Sequence, residues 1–422
     1  MSDTIFGESI SLLRTRRFGT FWFASLLSNI GTWAQQVAQP WLLLSLGASS
    51  FLIGLDSFAL SAPVWLLTLV GGVLADRADR RQVIAKFQSI QMLCPTLLVI
   101  LLLAGMVRPW MIIVLSLVVG VTDALSMPSF QSIVPSIVER KQIASGLALN
   151  STQFNLSRIL GPAIAGILLV SVGAVGCFEV SAVSYVPFIA VALWILPRRV
   201  VTPAAAGTHE QRRHIFADAL NIARVPYLRG ALLTVFLSSL LCAQIVTFSP
   251  ILVKNAFHGD AGHFSIVVGA FGVGGLAGAI LLLFVSARQD RRLWSSWSAG
   301  AYGLVLVLAG LNPWFWALPV LLAAGGAAMS VSNISANTLV QANSPAQLRG
   351  QSVSLYLLAM RGGLSIGSLL TGVSVSLWGV NHALLINGAL AMAAQGVVAH
   401  AWLRSALPRG DEIFQTTADA AK

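Results

Sequence analysis

Long apolar stretches alternate along the whole chain with short joints rich in charge, glycine or proline. A helix that crosses a bilayer needs about 20 consecutive, mostly apolar residues. This pattern predicts twelve spans, over residues 18–46, 51–75, 82–106, 110–138, 142–172, 176–197, 226–254, 262–287, 291–312, 314–341, 349–376 and 381–404. The longer ones must tilt, kink or protrude into the interface. The run beginning at Phe18 is too long for a cleaved leader, so a retained first helix is expected.

Composition narrows the class. Of 422 residues, 56% are hydrophobic and only 10% charged, with a mean hydropathy of +0.80. A soluble domain carries about a quarter charged residues. Too little polar surface exists here to cover a water-soluble core, so the expected fold is an all-α membrane protein surrounded by lipid. The net charge of +11 would suit a nucleic-acid binder, but the basic residues sit in short runs between apolar segments rather than along one face. With a cytoplasmic N-terminus, the inner segments collect Arg14, Arg16, Arg17, the 77–86 cluster, Arg140, Lys141, the basic residues of 198–229, Arg288, Arg291, Arg292, Arg349, Arg404, Arg409 and Lys422. The outer loops hold only Arg108 and Lys254. That asymmetry places both termini in the cytoplasm.

The longest polar connection, 198–225, divides the chain into an N-terminal six-helix bundle (1–197) and a C-terminal one (226–422). ADRADRR (75–81) aligns with SARQDRR (286–292), and GPAIAG (161–166) with GSLLTG (367–372), at matching topological positions. A duplicated unit, giving two pseudo-symmetric bundles, is the simplest account.

Candidate chemistry is sparse. Cys94, Cys177 and Cys242 lie singly inside apolar runs, and the histidines form no ligand spacing, so neither a metal nor a disulfide framework is expected. GVGGLA (272–277) imitates a dinucleotide fingerprint but lies inside an apolar helix without a preceding strand; Gly274 and Gly278 read instead as a close-packing step. No cofactor and no enzymatic constellation are indicated. Charges within spans are costly and are functional candidates by default. Asp56, Asp123, Arg158 and Arg361 qualify, with Glu179 near an outer helix end. Counting residues at 1.5 Å each puts Asp123 and Arg158 at a similar depth, about 15–20 Å below the outer surface, on antiparallel helices. They suit either a titrating pair or a static one, whereas Asp56 and Glu179 count as shallow, within reach of interfacial water. In the first span, Ser28, Thr32, Gln35 and Gln39 recur at helical spacing, flanked by Asn29, Trp33 and Gln36. Such a stripe either lines a water-filled path or bonds helices together.

GGVLADRADRR (71–81) resembles the loop signature G-x-x-x-D-R/K-x-G-R-R/K of the major facilitator superfamily, through Gly72, Asp76, Arg77, Arg80 and Arg81, with Asp79 in place of the second glycine. Gly161, Pro162 and Gly166 resemble the helix-five element of its exporters. SRILGPAIAG and NTLVQANSPAQLRGQSVSLY are similar to the bacterial 12-helix drug:proton antiporter branch that includes macrolide and enterobactin exporters. The resemblance implies that the loop residues gate alternating access, with Asp76 meeting a helix N-terminus, unless they only set topology. It also implies that Gly161, Pro162 and Gly166 form a bend. It further implies that helices one, four, seven and ten line the substrate cavity, to which Gln244, Asn333 and Asn337 would contribute. The activity expected is proton-coupled export of a small amphipathic molecule, a drug or siderophore, by a monomer. Proton-coupled uptake, or a receptor on the same scaffold, are the alternatives.

Overall fold

The computed structural model describes residues 11–404, apart from 66, 68, 69, 72, 73, 75–77, 140, 141, 197–224, 286–288 and 345–348. Among the described residues all regular structure is helical. In chain order the helices are α1 (Arg16–Ser45), α2 (Ser50–Ser61), α3 (Arg80–Leu103), α4 (Pro109–Ile137), α5 (Ile143–Ser171) and α6 (Gly173–Trp194). Then comes α7, built from Pro226–Leu237 and Gln244–Ile251 with π-helical turns at Ser238–Cys242 and Leu252–Ala256. The remainder are α8 (Ala261–Phe284), α9 (Arg291–Leu311), α10 (Ala317–Ala342) and the stretch Arg349–Arg404. Gly379 breaks that last stretch with φ 81°, a conformation only glycine adopts cheaply, giving α11 (349–378) and α12 (380–404).

Nine described helices are long and apolar enough to cross a membrane, the broken 351–404 stretch counting as one. The 30-residue α1 falls outside that set because its polar stripe lowers its mean hydropathy. The π-helical turns of α7 were not legible from its even hydropathy. They leave carbonyls without an ordinary helical partner, and the Gln244 side chain serves one of them, donating to Ser239 O at 3.0 Å.

Outward faces are apolar, as a bilayer requires: Leu103, Leu283 and Phe284 are 74%, 82% and 83% exposed. Exposed tryptophans gather at helix ends, Trp110 opening α4, Trp194 closing α6 and Trp314 and Trp316 preceding α10, where an indole suits the membrane interface.

The chain forms two compact units. One holds Met1–Ala204 and Thr247–Val273; the other holds Ala205–Val246 and Gly274–Lys422. In the first, Phe21, Phe130 and Phe188 pack ring to ring at 5.3–5.8 Å and tie α1, α4 and α6 together. The α8 segment of this unit lies close against α5: Gly166 abuts Ser265 and Gly269, and Gly272 abuts Ala163. Trp41 of α1 stacks on Phe264 with ring centroids 5.1 Å apart. Small residues likewise bring α2 and α4 together, Gly120 lying against the Ala59 and Leu60 carbonyls. In the second unit, Gly274 and Gly278 pack on Ala323 and Ala327 of α10, which is the close-packing role expected of GVGGLA. Gln395 of α12 donates to Thr234 O and Ser238 Oγ, fastening α12 to α7.

Candidate functional site

The polar stripe of α1 faces inward within the first unit and meets α2, α3, α4 and α6. Thr32, Gln35, Gln36 and Gln39 line a small cavity, closed by Ser116 of α4, Tyr185 of α6 and an apolar wall including Cys94, Leu98 and Ile112. The cavity has room for about one water molecule. The stripe residues are bonded across helices. The Tyr185 hydroxyl lies 2.9 Å from Thr32 Oγ1, and Ser181 Oγ donates to Gln35 Oε1 at 2.8 Å. Gln35 Nε2 reaches Gln39 Oε1 at 3.5 Å, and Ser28 Oγ reaches Gln88 Oε1 of α3 at 3.4 Å. Asn29 and Trp33 are half-buried beside this row, and Trp33 meets Phe154 of α5 edge-on at 6.3 Å.

At the end of the stripe nearest the α1 C-terminus lies Asp56. Gln39 Nε2 donates to its two carboxylate oxygens at 2.9 and 2.7 Å, and Ser116 Oγ donates at 2.6 Å. The access to water expected for Asp56 is what the structure corrects. The residue is only 4% exposed, because α1 and α4 cover it although few residues separate it from the start of α2. Glu179, near the start of α6, is exposed. Asp123 and Arg158 are both half-buried, on α4 and α5. The Asp123 carboxylate is near enough to Tyr185 to act on it electrostatically.

In the second unit, Gln244, Asn333 and Asn337 are buried at 0%, 4% and 9% exposure, and Arg361 is buried as well. Gln244 Nε2 donates to Leu364 O of α11 at 3.2 Å in addition to Ser239 O. The main-chain carbonyl of Asn333 accepts from the Tyr356 hydroxyl at 3.1 Å, and Asn337 Oδ1 accepts from Gln341 Nε2 at 3.0 Å. Within this unit the Gln244 and Asn337 side chains act as links between or along helices, while at Asn333 the main chain does so.

Of the loop signature, Gly72, Asp76 and Arg77 lie outside the described residues, as do almost all of the 198–225 connection and the tail after 404. Asp79, the departure from the signature, has a clear use. It is the N-cap of α3, accepting from Arg81 N at 3.1 Å. Arg80 Nη1 donates to Ser132 O of α4 at 3.2 Å, and Arg81 Nη1 donates to Leu193 O near the end of α6 at 2.7 Å. The second copy repeats this design. Asp290 caps α9 through Arg292 N at 2.9 Å, and Arg292 Nη1 donates to Trp402 O near the end of α12 at 3.1 Å. Arg292 also bonds the Asp290 carboxylate, with Nη2 to Oδ2 at 2.7 Å, and lies over the Tyr227 ring. Burial would raise the Asp290 carboxyl above its ordinary range, but the hydrogen bonds and charge of Arg292 outweigh it and hold the group below.

Gly161 packs on Trp33, and α5 runs unbroken through Pro162 to Ser171. Gly161 and Gly166 therefore serve helix contacts on two sides, with α1 and with α8.

The family model of transmembrane secretion effectors matches residues 8–420. The chain belongs to that family. This transporter is similar to the staphyloferrin A transporter of Staphylococcus aureus, 24% identical over 378 residues, covering 87% of this chain and 92% of the relative. It is also similar to macrolide efflux protein A of Streptococcus pyogenes, 23% identical over 382 residues, covering 89% and 93%. Its fold resembles a solved bacterial homolog of the human lysosomal transporter Spinster, described as inward-facing and unoccupied. There the TM-score is 0.70 at 15% identity, over 94% of this chain and 99% of that one. The chain is thus a major facilitator transporter of small molecules, a multi-pass protein of the bacterial inner membrane and not an enzyme.

Sequence reasoning missed Ser116, Ser181 and Tyr185, which complete the polar network. Ser181 and Tyr185 stand four residues apart on α6, a spacing that puts both on one face. Ser116 stands alone in its stretch of α4 and carries no such signal.

Proposed function

We propose that this transporter is a proton-coupled exporter of a small amphipathic molecule, a drug or siderophore, working by alternating access. The observation that carries the reading is the polar row of α1, which lines a cavity inside an apolar bundle and ends on a buried carboxylate. A polar row inside a membrane helix suits a solute path, and an intramembrane carboxylate suits an ion that moves with it. The direction is supported by the macrolide efflux relative. Twelve spans in two bundles, 1–197 and 226–422, with both termini cytoplasmic and a monomeric state in lipid, complete the proposal. In it, Gly72, Asp76, Arg77, Arg80 and Arg81 bias the closing of the cytoplasmic side. Asp123 and Arg158 form an ion pair within the membrane, and Gln244, Asn333 and Asn337 contribute polar groups to the substrate path.

Everted vesicles carrying the full chain test this. A substrate of the pump accumulates under an inward-acidic gradient, and its addition partly collapses that gradient. Asp76→Asn lowers transport while leaving binding intact. Failure of a broad panel of macrolides and siderophores both to accumulate and to draw on the gradient would remove the antiport reading. Accumulation by whole cells, lost when the gene is deleted, would instead establish uptake.

A further inference from the structure

Asp56 is the most deeply buried acidic side chain described in the first unit, and its surroundings are unusual for a charge. Its bonds come from Gln39 and Ser116, themselves 6% and 4% exposed. Among the described residues no lysine, arginine or histidine is bonded to it. Buried charges are normally paired with a cation or a metal. Here burial opposes the charge while three donor contacts favour it, so the group sits between two opposed effects.

Other titratable groups around it are few. On α1 the arginines Arg16 and Arg17 lie at the opposite end of the helix. On α4, Asp123 is seven residues further along, about 10 Å by helical rise, and the exposed Arg108 heads the helix eight residues before Ser116. Cys94 of α3 and Tyr185 of α6 line the adjoining cavity, and Glu179 of α6 is exposed.

We infer that Asp56 is a reversible proton-binding site, and that Gln39 reports its occupancy to the cavity through Gln35. The inference rests on the proton-coupled reading for its purpose, while its chemistry stands on the local geometry alone. In the structure Gln39 turns its nitrogen to the carboxylate and its oxygen to Gln35 Nε2, so the row is arranged for ionised Asp56. A proton taken from water adds to one carboxylate oxygen, forming one O–H bond with no change of oxidation state. That O–H then needs an acceptor, and Gln39 meets the need by rotating its amide half a turn. Its oxygen accepts from Asp56, and its nitrogen now points along the row at Gln35. Gln35 turns in step, giving its oxygen to Gln39 and its nitrogen to Ser181, so the Gln39–Gln35 hydrogen bond reverses its direction and Ser181 Oγ changes from donor to acceptor. Release of the proton to water restores the first arrangement.

Infrared difference spectroscopy on the full chain in liposomes, with pH stepped between about 5 and 9, tests this without any substrate. Wild type gains a protonated-carboxyl C=O band on acidification, accompanied by a change in the side-chain amide C=O region. Asp56→Asn abolishes the carboxyl band, with thermal unfolding showing that the variant is folded. Asp56→Glu, the second variant should Asn fail to fold, keeps a titrating band at a shifted frequency. Gln39→Leu keeps the carboxyl band, removes the amide change and moves the midpoint by about one pH unit or more. An Asp56→Asn spectrum identical to wild type overturns the inference, as does a band that disappears only in Asp123→Asn. Loss of antiport in vesicles with these spectra intact would count against the exporter reading and not against the site.

Discussion

Arg81 donates a 2.7 Å hydrogen bond to the main-chain carbonyl of Leu193, holding the start of α3 against the end of α6. Arg292 does the same between α9 and Trp402 of α12, at 3.1 Å. A helix ends with carbonyls that lack partners and with partial negative charge, and a guanidinium answers both. These arginines are therefore fasteners inside their units. Arg292 is the stronger of the two, since its tight ion pair with Asp290 contrasts with a 3.8 Å contact between Arg81 and Asp79. Arg292→Ala is expected to destabilise by about 2–3 kcal/mol and Arg81→Ala by about 1–2 kcal/mol. Thermal unfolding in detergent reads both. Arg292→Lys recovers only part of the loss, because an ammonium cannot make the forked contact.

Asp290 makes that fastener dependent on pH. Its carboxyl is held below the ordinary range by Arg292, against the opposing effect of partial burial. A group whose folded pKa is depressed adds stability above its unfolded pKa and loses it as pH falls through the folded one. Asp290→Asn keeps the helix cap but not the charge. Its stability deficit is expected to be full at neutral pH and to fade below about pH 4, where the wild-type carboxyl also becomes neutral. Paired melting curves across this range check the sign. A deficit constant with pH would assign the role of Asp290 to capping alone.

Close contact between α5 and α8 separates glycines that look alike in sequence. A methyl group on Gly166 would stand 2.8 Å from Ser265 O and 3.1 Å from the Gly269 backbone, neither of which is a flexible side chain. A methyl on Gly269 would meet nothing within 4 Å. Gly166→Ala is expected to cost about 1–3 kcal/mol through overpacking. Gly269→Ala is expected to be neutral or stabilising by up to about 1 kcal/mol through helix propensity. Equal losses at the two positions would contradict the packing described.

Much of this architecture could be read from hydropathy, because burial in lipid demands long apolar runs. Residues 142–172 and 291–312 become Ile143–Ser171 and Arg291–Leu311. The likeness of two turns was also visible, since Asp79-Arg80-Arg81 and Asp290-Arg291-Arg292 cap their helices in the same way. Asp79 was not, because a glycine and an N-cap aspartate solve the same turn by different means. The depth of Asp56 was hidden for another reason. Counting residues from a helix end measures height along the membrane and ignores what neighbouring helices cover. The π-helical turns of α7 depend on hydrogen-bond registry, which apolar patterning does not encode.

The Thr32–Tyr185 contact predicts an asymmetry that packing alone would not give. Thr32 Oγ1 donates to Ser28 O at 2.9 Å, which leaves the Tyr185 hydroxyl as donor in the 2.9 Å bond between the two side chains. Tyr185 is 2% exposed. Tyr185→Phe removes the donor and leaves Thr32 still bonded to the main chain, at an expected cost of about 1 kcal/mol or less. Thr32→Val keeps the side-chain volume but leaves a buried hydroxyl without its acceptor, at about 1–3 kcal/mol. The double variant should be less destabilised than the sum of the two, and more stable than Thr32→Val alone, because the orphaned hydroxyl is gone. A double-mutant cycle by thermal or denaturant unfolding measures the coupling. Simple additivity would mean that the two hydroxyls do not depend on each other, and that the cavity wall is held by its apolar contacts.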